Sequence, residues 1–241
     1  MIAVLGMYDR PETSGANDTF WSLIRSNLGY GPERLTRGVD VWQAWQSPDL
    51  LFAQTCGLPF RHSLHKLVHL VGTPDYDVEG CPPGYYRSVI VARSDVGVDL
   101  SDLSRLRFAY NEKLSQSGWA AFWAHVPKGG NVKEMVQTGA HAASARAVAE
   151  GRADIAALDV VTWNQIRTYD AFADHLSVIA KTEPSPGLPF ITAKSRNPVE
   201  IAHAVVKAMD NLDENSRKLL QIKGFVPIPR EAYLTIPLPR A

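Results

Sequence analysis

Short apolar runs recur along this chain with helix-length patterns between them, and two clusters of chain breakers cut the series into three stretches. That arrangement constrains the fold more than any motif does. Ile2–Met7, Leu50–Ala53, Leu67–Val71, Tyr86–Ala92, Leu106–Tyr110, Ile155–Val161 and Leu176–Ala180 have the length and continuity of buried strands. Asn17 and Asp18 are suitable caps for a helix in which Phe20, Leu23, Ile24 and Leu28 share a face, and Gly29 with Gly31-Pro32 ends it. Helices are also predicted over Trp119–Val126, over Ala142–Glu150 with Gly151 as its C-cap, on the face of Ile201, Val205, Ala208, Met209 and Leu212, and around Asp213–Leu220. Gly72–Gly84 reads as a loop, and the proline-bearing tail Pro227–Pro239 as irregular. Strands alternating with helices predict an α/β fold with mostly parallel sheets. The breakers near Pro82–Gly84 and Pro184–Pro189 bracket a middle block of about 100 residues, which predicts an inserted second lobe. The expected division is 1–88 with 188–241 as the first lobe and 89–187 as the second.

Composition removes several function classes. The 25 Lys and Arg balance 25 Asp and Glu, so a dedicated nucleic-acid binder and a polybasic membrane-surface protein are both disfavoured. No run approaches the ~18 apolar residues of a membrane span. The apolar start, Met1 to Met7, has no basic segment before it and is cut off by Tyr8-Asp9-Arg10, so the chain as written reads as unexported. Cys56 and Cys81 form no Cys-x-x-Cys pair, and a structural zinc site is not expected; free thiols and a single disulfide both remain open. His62, His65 and His69 share an i, i+3, i+7 spacing, but no carboxylate or cysteine joins them, and no metal is expected. No Gly-x-Ser-x-Gly, Walker loop or His-Glu-x-x-His occurs, and no catalytic group or cofactor is expected.

Three stretches carry chemistry. In Asn111-Glu112-Lys113-Leu114-Ser115-Gln116-Ser117-Gly118-Trp119 a strand gives way to a helix, with Ser117 as the predicted N-cap. Amides at a helix start lack intrahelical partners, and the helix dipole adds partial positive charge there. Two serine hydroxyls and a glycine that permits close approach complete a site of the kind that holds phosphate, phosphonate or sulfate without arginine. The alternative is an ordinary capped helix. In Gly139-Ala140-His141 a glycine-led turn places a histidine at a second helix start, where its neutral form is favoured until an anion arrives. In Gly151 to Asp159, Asp154 precedes a strand and Asp159 interrupts an apolar run, so Asp159 needs a partner or a cleft, or else sits at a solvated edge.

Taken in order, these features resemble the substrate-binding proteins of phosphate/phosphonate ABC transporters, within the transferrin-like type 2 periplasmic-binding-protein fold. The residues that carry the resemblance are Met7-Tyr8, Gln54 through Pro59, Gly72-Thr73-Pro74, Gly84 through Ser88, Ser115-Gln116-Ser117-Gly118, Gly139-Ala140-His141, Gly151 through Asp159, and Gly187-Leu188-Pro189. The resemblance implies two α/β lobes, each a mixed, mostly parallel sheet flanked by helices, with ligand held in the cleft between them and closure by hinge bending. It implies ligand contacts from Tyr8, Gln54, Tyr86, Ser115, Gln116, Ser117, Gly118, Trp119, His141 and Asp159. It implies non-catalytic capture of a small oxyanion-bearing ligand, a permease partner and a periplasmic location. It also favours a disulfide between Cys56 and Cys81, which it places in one lobe. Two other functions fit the same pattern. One is a cytosolic enzyme of cofactor biosynthesis using His141 or Asp159 as acid or base, motivated by the missing export signal. The other is a ligand-sensing regulatory module.

Overall fold

The computed structural model describes residues 1–238. It divides into two compact units, residues 1–79 with 186–235, and residues 80–185 with the described tail from Ile236.

The first unit begins with β1 (Ile2–Val4), α1 (Ser14–Leu28), α2 (Val41–Gln46), β2 (Leu50–Gln54), α3 (Gly57–His62) and β3 (Val68–Asp75). Helix α1 starts earlier than its apolar pattern suggests. The turn at Arg10 already closes a helical bond from the Ser14 N–H at 2.8 Å, so Asn17 and Asp18 lie inside the helix rather than capping it. Gly29 ends the helix in left-handed backbone at φ 77°, as predicted.

The chain then enters the second unit through β4 (Tyr85–Tyr86), β5 (Ser88–Arg93), β6 (Arg107–Tyr110), a π-helical turn at Gln116–Ala120 that runs into α4 (Ala121–His125), β7 (Glu134–Gln137), α5 (His141–Ala149), β8 (Ile155–Asp159), α6 (Val160–Tyr169), β9 (Leu176–Lys181) and β10 (Ser185–Pro186). It returns to the first unit through β11 (Phe190–Ala193), α7 (Pro198–Asn211), α8 (Glu214–Leu220), β12 (Gly224–Val226) and α9 (Arg230–Leu234).

Each unit is built on a five-stranded mixed sheet. The first has the order β1-β2-β11-β3-β12 and the second β7-β6-β8-β5-β9. Antiparallel pairing is more extensive than the expected mostly parallel arrangement. Strands β1 and β2 are parallel, but the returning β11 inserts between β2 and β3 and runs against both, as β12 runs against β3. In the second unit β6 is parallel to β7 and β8, whereas β5 runs against β8 and β9. Each parallel pair has a helix in its connection, which such a crossover requires.

Both faces of the second sheet are covered. Val89 and Val91 of β5 pack with Ala156 and Leu158 of β8 on one side, while Ile90 and Ala92 pack with Ile155 and Ala157 on the other. This is why these strands read as unbroken apolar runs instead of alternating ones. In the first unit Phe20, Trp21 and Ile24 of α1 and Ile201, Val205 and Met209 of α7 share a core with Phe52 and Phe190 of the sheet.

The unit boundaries differ from the predicted 88/89 and 187/188. The segment before β5 belongs to the second unit, where the Arg87 carbonyl accepts the Val160 N–H at 3.1 Å. Cys56 therefore lies in the first unit and Cys81 in the second, and both are free thiols. Strand β3 runs on to Asp75, four residues into the stretch predicted as loop. Gly72 lets it pass beneath Phe225: its φ is 152°, and a Cβ there would stand 2.1 Å from Phe225 Cζ. Strand β8 stops at Asp159 instead of Val161, because Asp159 caps α6, which the apolar pattern hides. The tail is partly helical at α9, where the buried Tyr233 hydroxyl donates to the Gly187 carbonyl at 3.0 Å. Pro239, the end of that predicted irregular stretch, lies outside the described residues.

Candidate functional site

In the second unit the carboxyl ends of three parallel strands converge. Asn111 follows β6, His141 follows β7 after a three-residue turn, and Asp159 closes β8. Open α/β sheets hold ligands at this end of their strands. Gly139, at φ 85°, makes the turn that brings His141 to the first position of α5, and its N–H donates to the Asn111 carbonyl at 3.1 Å. Strand pairing sets Ser88 opposite Asp159, and the Ser88 hydroxyl donates to the Ser117 carbonyl at 3.0 Å.

The helix start differs from its sequence reading in one respect. Ser115, not Ser117, is the N-cap: its Oγ accepts the Gly118 N–H at 3.0 Å, and its carbonyl accepts the Ala120 N–H at 3.1 Å. The second bond spans five residues, so the first turn is widened into a π-turn, a form that recurs at functional sites. With the cap moved back, the Ser117 hydroxyl is released for another partner, and it lies 2.9 Å from His141 Nε2. Gly118 also has a different role from the one expected. The space a Cβ would take is filled by Asn111 Oδ1, 2.0 Å from that position, with His141 Cε1 at 3.0 Å. Glycine here admits the Asn111 carboxamide and the edge of the imidazole.

Asp159 is buried and engaged. One carboxylate oxygen accepts the Thr162 N–H at 2.8 Å and the other the Thr162 hydroxyl at 2.5 Å. The second oxygen also stands 3.5 Å from His141 Nε2. Burial pushes the His141 imidazole below its usual range, against the opposing pull of Asp159 and of the Ala157 carbonyl. The resting ring is therefore neutral near pH 7.

A model of the family described as "ABC transporter, phosphonate, periplasmic substrate-binding protein" matches residues 63–233. The chain belongs to this family. It is a solute-binding protein, and its two-unit α/β architecture is that of solved relatives. It is similar to a binding protein component of a phosphonate ABC transporter from Pseudomonas aeruginosa, at 17% identity and a TM-score of 0.72, over 98% of this chain and 84% of that one. It is similar to PhnD1 from Prochlorococcus marinus, whose structure holds methylphosphonate, at 16% identity and a TM-score of 0.75, over 96% and 94% of the two chains. A histidine kinase sensor domain also shares the fold, at 18% identity and a TM-score of 0.65, over 93% and 97%. No curated protein sequence matches.

Of the residues predicted to bind ligand in this solute-binding protein, Ser115, Ser117, Gly118, His141 and Asp159 stand together in the second unit, with Gln116 buried at the first position of the π-turn. Trp119 belongs to the same turn, but its indole packs among Phe108, Tyr110 and Trp123, so what it offers at the helix start is its backbone. Tyr86 is fully buried on β4. In the first unit, Tyr8 follows β1, Gln54 closes β2, and the structure adds Tyr76 after β3. Gln54 Nε2 donates to the Tyr76 hydroxyl at 3.0 Å, the Tyr8 and Tyr76 rings meet edge-on at 5.4 Å, and all three line a small pocket with Asn17. Asp154 has a structural role, joining β6 to the turn before β8 through bonds of 2.7–3.1 Å to the Arg107 backbone and guanidinium. Asn111 was not among the predicted contacts, although its place as the first polar residue after an apolar strand was the available signal.

Proposed function

We propose that this protein captures a small ligand bearing a phosphate- or phosphonate-type oxyanion at the Ser115–Trp119 helix start, and delivers it unchanged to an ABC transporter permease in the periplasm. The observation that carries this reading is the pairing of Ser117 Oγ with His141 Nε2 at 2.9 Å beside the widened first turn. An imidazole Nε2–H that donates to Ser117 Oγ leaves the hydroxyl proton directed outward, toward an anion. With zero net charge on the chain, hydroxyls, amides and the helix dipole supply the attraction. The family match and the methylphosphonate held by the Prochlorococcus relative support the same ligand class.

The geometry favours binding over catalysis. In a nucleophilic triad the carboxylate orients the histidine through one ring nitrogen while the other takes the serine proton. Here Ser117 Oγ and Asp159 Oδ2 both approach Nε2, at 2.9 and 3.5 Å, and Asp159 is held as the cap of α6. Titration calorimetry with phosphate, methylphosphonate and methanesulfonate, on the wild type and on Ser117→Ala, tests the reading. Binding of an oxyanion that weakens in the variant, with the ligand recovered intact, supports it. Absence of oxyanion binding, equal affinity in the variant, or turnover of the ligand rejects it.

A further inference from the structure

We infer that Ser88 is a positioning residue for the oxyanion turn: its hydroxyl holds the Ser117 carbonyl, keeps the first turn widened, and so keeps the Ser117 side chain against His141. The inference rests on the oxyanion reading above. Ser88 opens β5, and it is buried, as are Ser117 and Thr182. Its Oγ lies 3.0 Å from the Ser117 carbonyl oxygen. A carbonyl oxygen only accepts, so the hydroxyl is the donor.

The sheet fixes Ser88 in place. Its N–H donates to Thr182 Oγ1 at 3.0 Å, its carbonyl accepts the Thr182 N–H at 2.9 Å, and strand pairing sets it opposite Asp159. The hydroxyl therefore reaches the turn from a pinned backbone, with one side-chain torsion to place its oxygen.

The turn needs a hold of this kind. Two successive amides, those of Ala120 and Ala121, reach back five residues to the carbonyls of Ser115 and Gln116. Such π-turns are rare. The next carbonyl along the chain, that of Ser117, is the one that takes a hydroxyl from outside the helix. A side chain bonded into the helix ladder is a known cause of local distortion. Without the hydroxyl, β5 no longer holds that carbonyl, and the turn is free to tighten to four-residue bonds. Tightening by one residue rotates the helix start by about 100°. That rotation carries Ser117 Oγ away from His141 Nε2, which stands 2.9 Å from it. Ser88 thus acts on oxyanion capture through the Ser117 backbone.

The test is a double-variant cycle of wild type, Ser88→Ala, Ser117→Ala and the two combined, with Asp154→Asn as a reference. Affinity is read by titration calorimetry with the tightest-binding of phosphate, methylphosphonate and methanesulfonate. Ser88→Ala is expected to weaken binding by about 2- to 12-fold, the equivalent of one hydrogen bond. In the Ser117→Ala background the same change should weaken it by less than about twofold, because the hydroxyl that Ser88 positions is gone. Asp154→Asn disturbs the Arg107 contact in the same unit and should leave affinity within about twofold of the wild type. Unchanged affinity in Ser88→Ala, an additive loss in the double variant, or an equal loss in Asp154→Asn each overturns the inference. If Ser88→Ala does not fold, Ser88→Cys, a weak donor of similar size, replaces it in the cycle with the same pattern expected. If no oxyanion binds the wild type, or Ser117→Ala binds equally well, the oxyanion reading falls and takes this inference with it. If Ser117→Ala weakens binding and Ser88→Ala does not, this inference alone falls.

Discussion

The Ser117 hydroxyl lies 2.9 Å from His141 Nε2, although the two residues sit on separate helix starts that follow different strands. The contact exists because Ser115 takes over the capping of its helix and leaves Ser117 unspent. On the proposed reading, replacing Ser117 with alanine removes the donor of a charge-assisted bond to the ligand without disturbing the cap. Oxyanion affinity should fall by about 1–3 kcal/mol. Calorimetry checks the affinity, and an unchanged melting temperature in the absence of ligand checks that the cap survives.

His141 links this site to pH. Burial depresses its folded-state pKa, while the unfolded value stays near ~6.5. Below pH ~6.5 the unfolded chain takes up a proton that the folded chain does not, so its contribution to stability is complete above that pH and declines as pH falls toward the folded value. The slope should reach at most about 1.4 kcal/mol per pH unit. Chemical denaturation between pH 7.5 and 5.5 measures it, and His141→Gln should flatten the dependence in that window.

Asp159 separates a structural carboxylate from a ligand-reading one. Both of its oxygens serve Thr162 at the start of α6. Asp159→Ala should cost about 0.5–2 kcal/mol of stability, the range for loss of an N-cap, while Asp159→Asn, also a good cap, should cost much less. Oxyanion affinity should respond less to either change than to Ser117→Ala. A loss of affinity in Asp159→Asn as large as that in Ser117→Ala would assign the carboxylate to the ligand instead.

How legible these features were in the sequence follows from how locally they are determined. The strands of the second unit, such as β5 and β8, are buried on both faces and read directly as apolar runs. The end of α1 was written in Gly29. Helix α6 was hidden because the apolar run of β8 continues into Val160 and Val161 without a breaker, and only the polar Asp159 marks the junction. Strand β11 was missed because four residues after a proline cluster carry little periodicity, and its place between β2 and β3 is a long-range fact. The serine-rich helix start was legible as a site, but the choice between Ser115 and Ser117 as cap depends on the π-turn, and propensity does not encode that. The place of Asn111 after an apolar strand was visible, but its packing against Gly118 and the bond from Gly139 to its carbonyl were not, because only the fold brings these residues together.

In the first unit, Gly72 and Phe225 form a pair in which the glycine has no tolerated replacement. Alanine at 72 would place its Cβ 2.1 Å from Phe225 Cζ and would do so at φ 152°. Gly72→Ala should destabilise the protein by about 1–3 kcal/mol, the range for overpacking. Adding Phe225→Ala relieves the collision, so the double variant should cost less than the two single changes added together. Melting temperatures of the four proteins of this cycle measure the difference.

The same cycle applied to Gly118 and Asn111 tests the geometry at the candidate site itself. The backbone at Gly118 is not left-handed, so an alanine there meets no conformational penalty and its cost is steric. The added Cβ falls 2.0 Å from Asn111 Oδ1 and 3.1 Å from Asn111 Cγ. Gly118→Ala should therefore lose about 1–3 kcal/mol of stability and weaken oxyanion binding, since the carboxamide must leave its place or push the turn outward. Asn111→Ala removes both clashing atoms, and the double variant should regain most of the stability lost in Gly118→Ala. Binding should not recover to the same extent, because His141 Cε1 at 3.0 Å still crowds the new methyl group. Recovery of stability without recovery of affinity would separate the packing role of Gly118 from its role at the ligand.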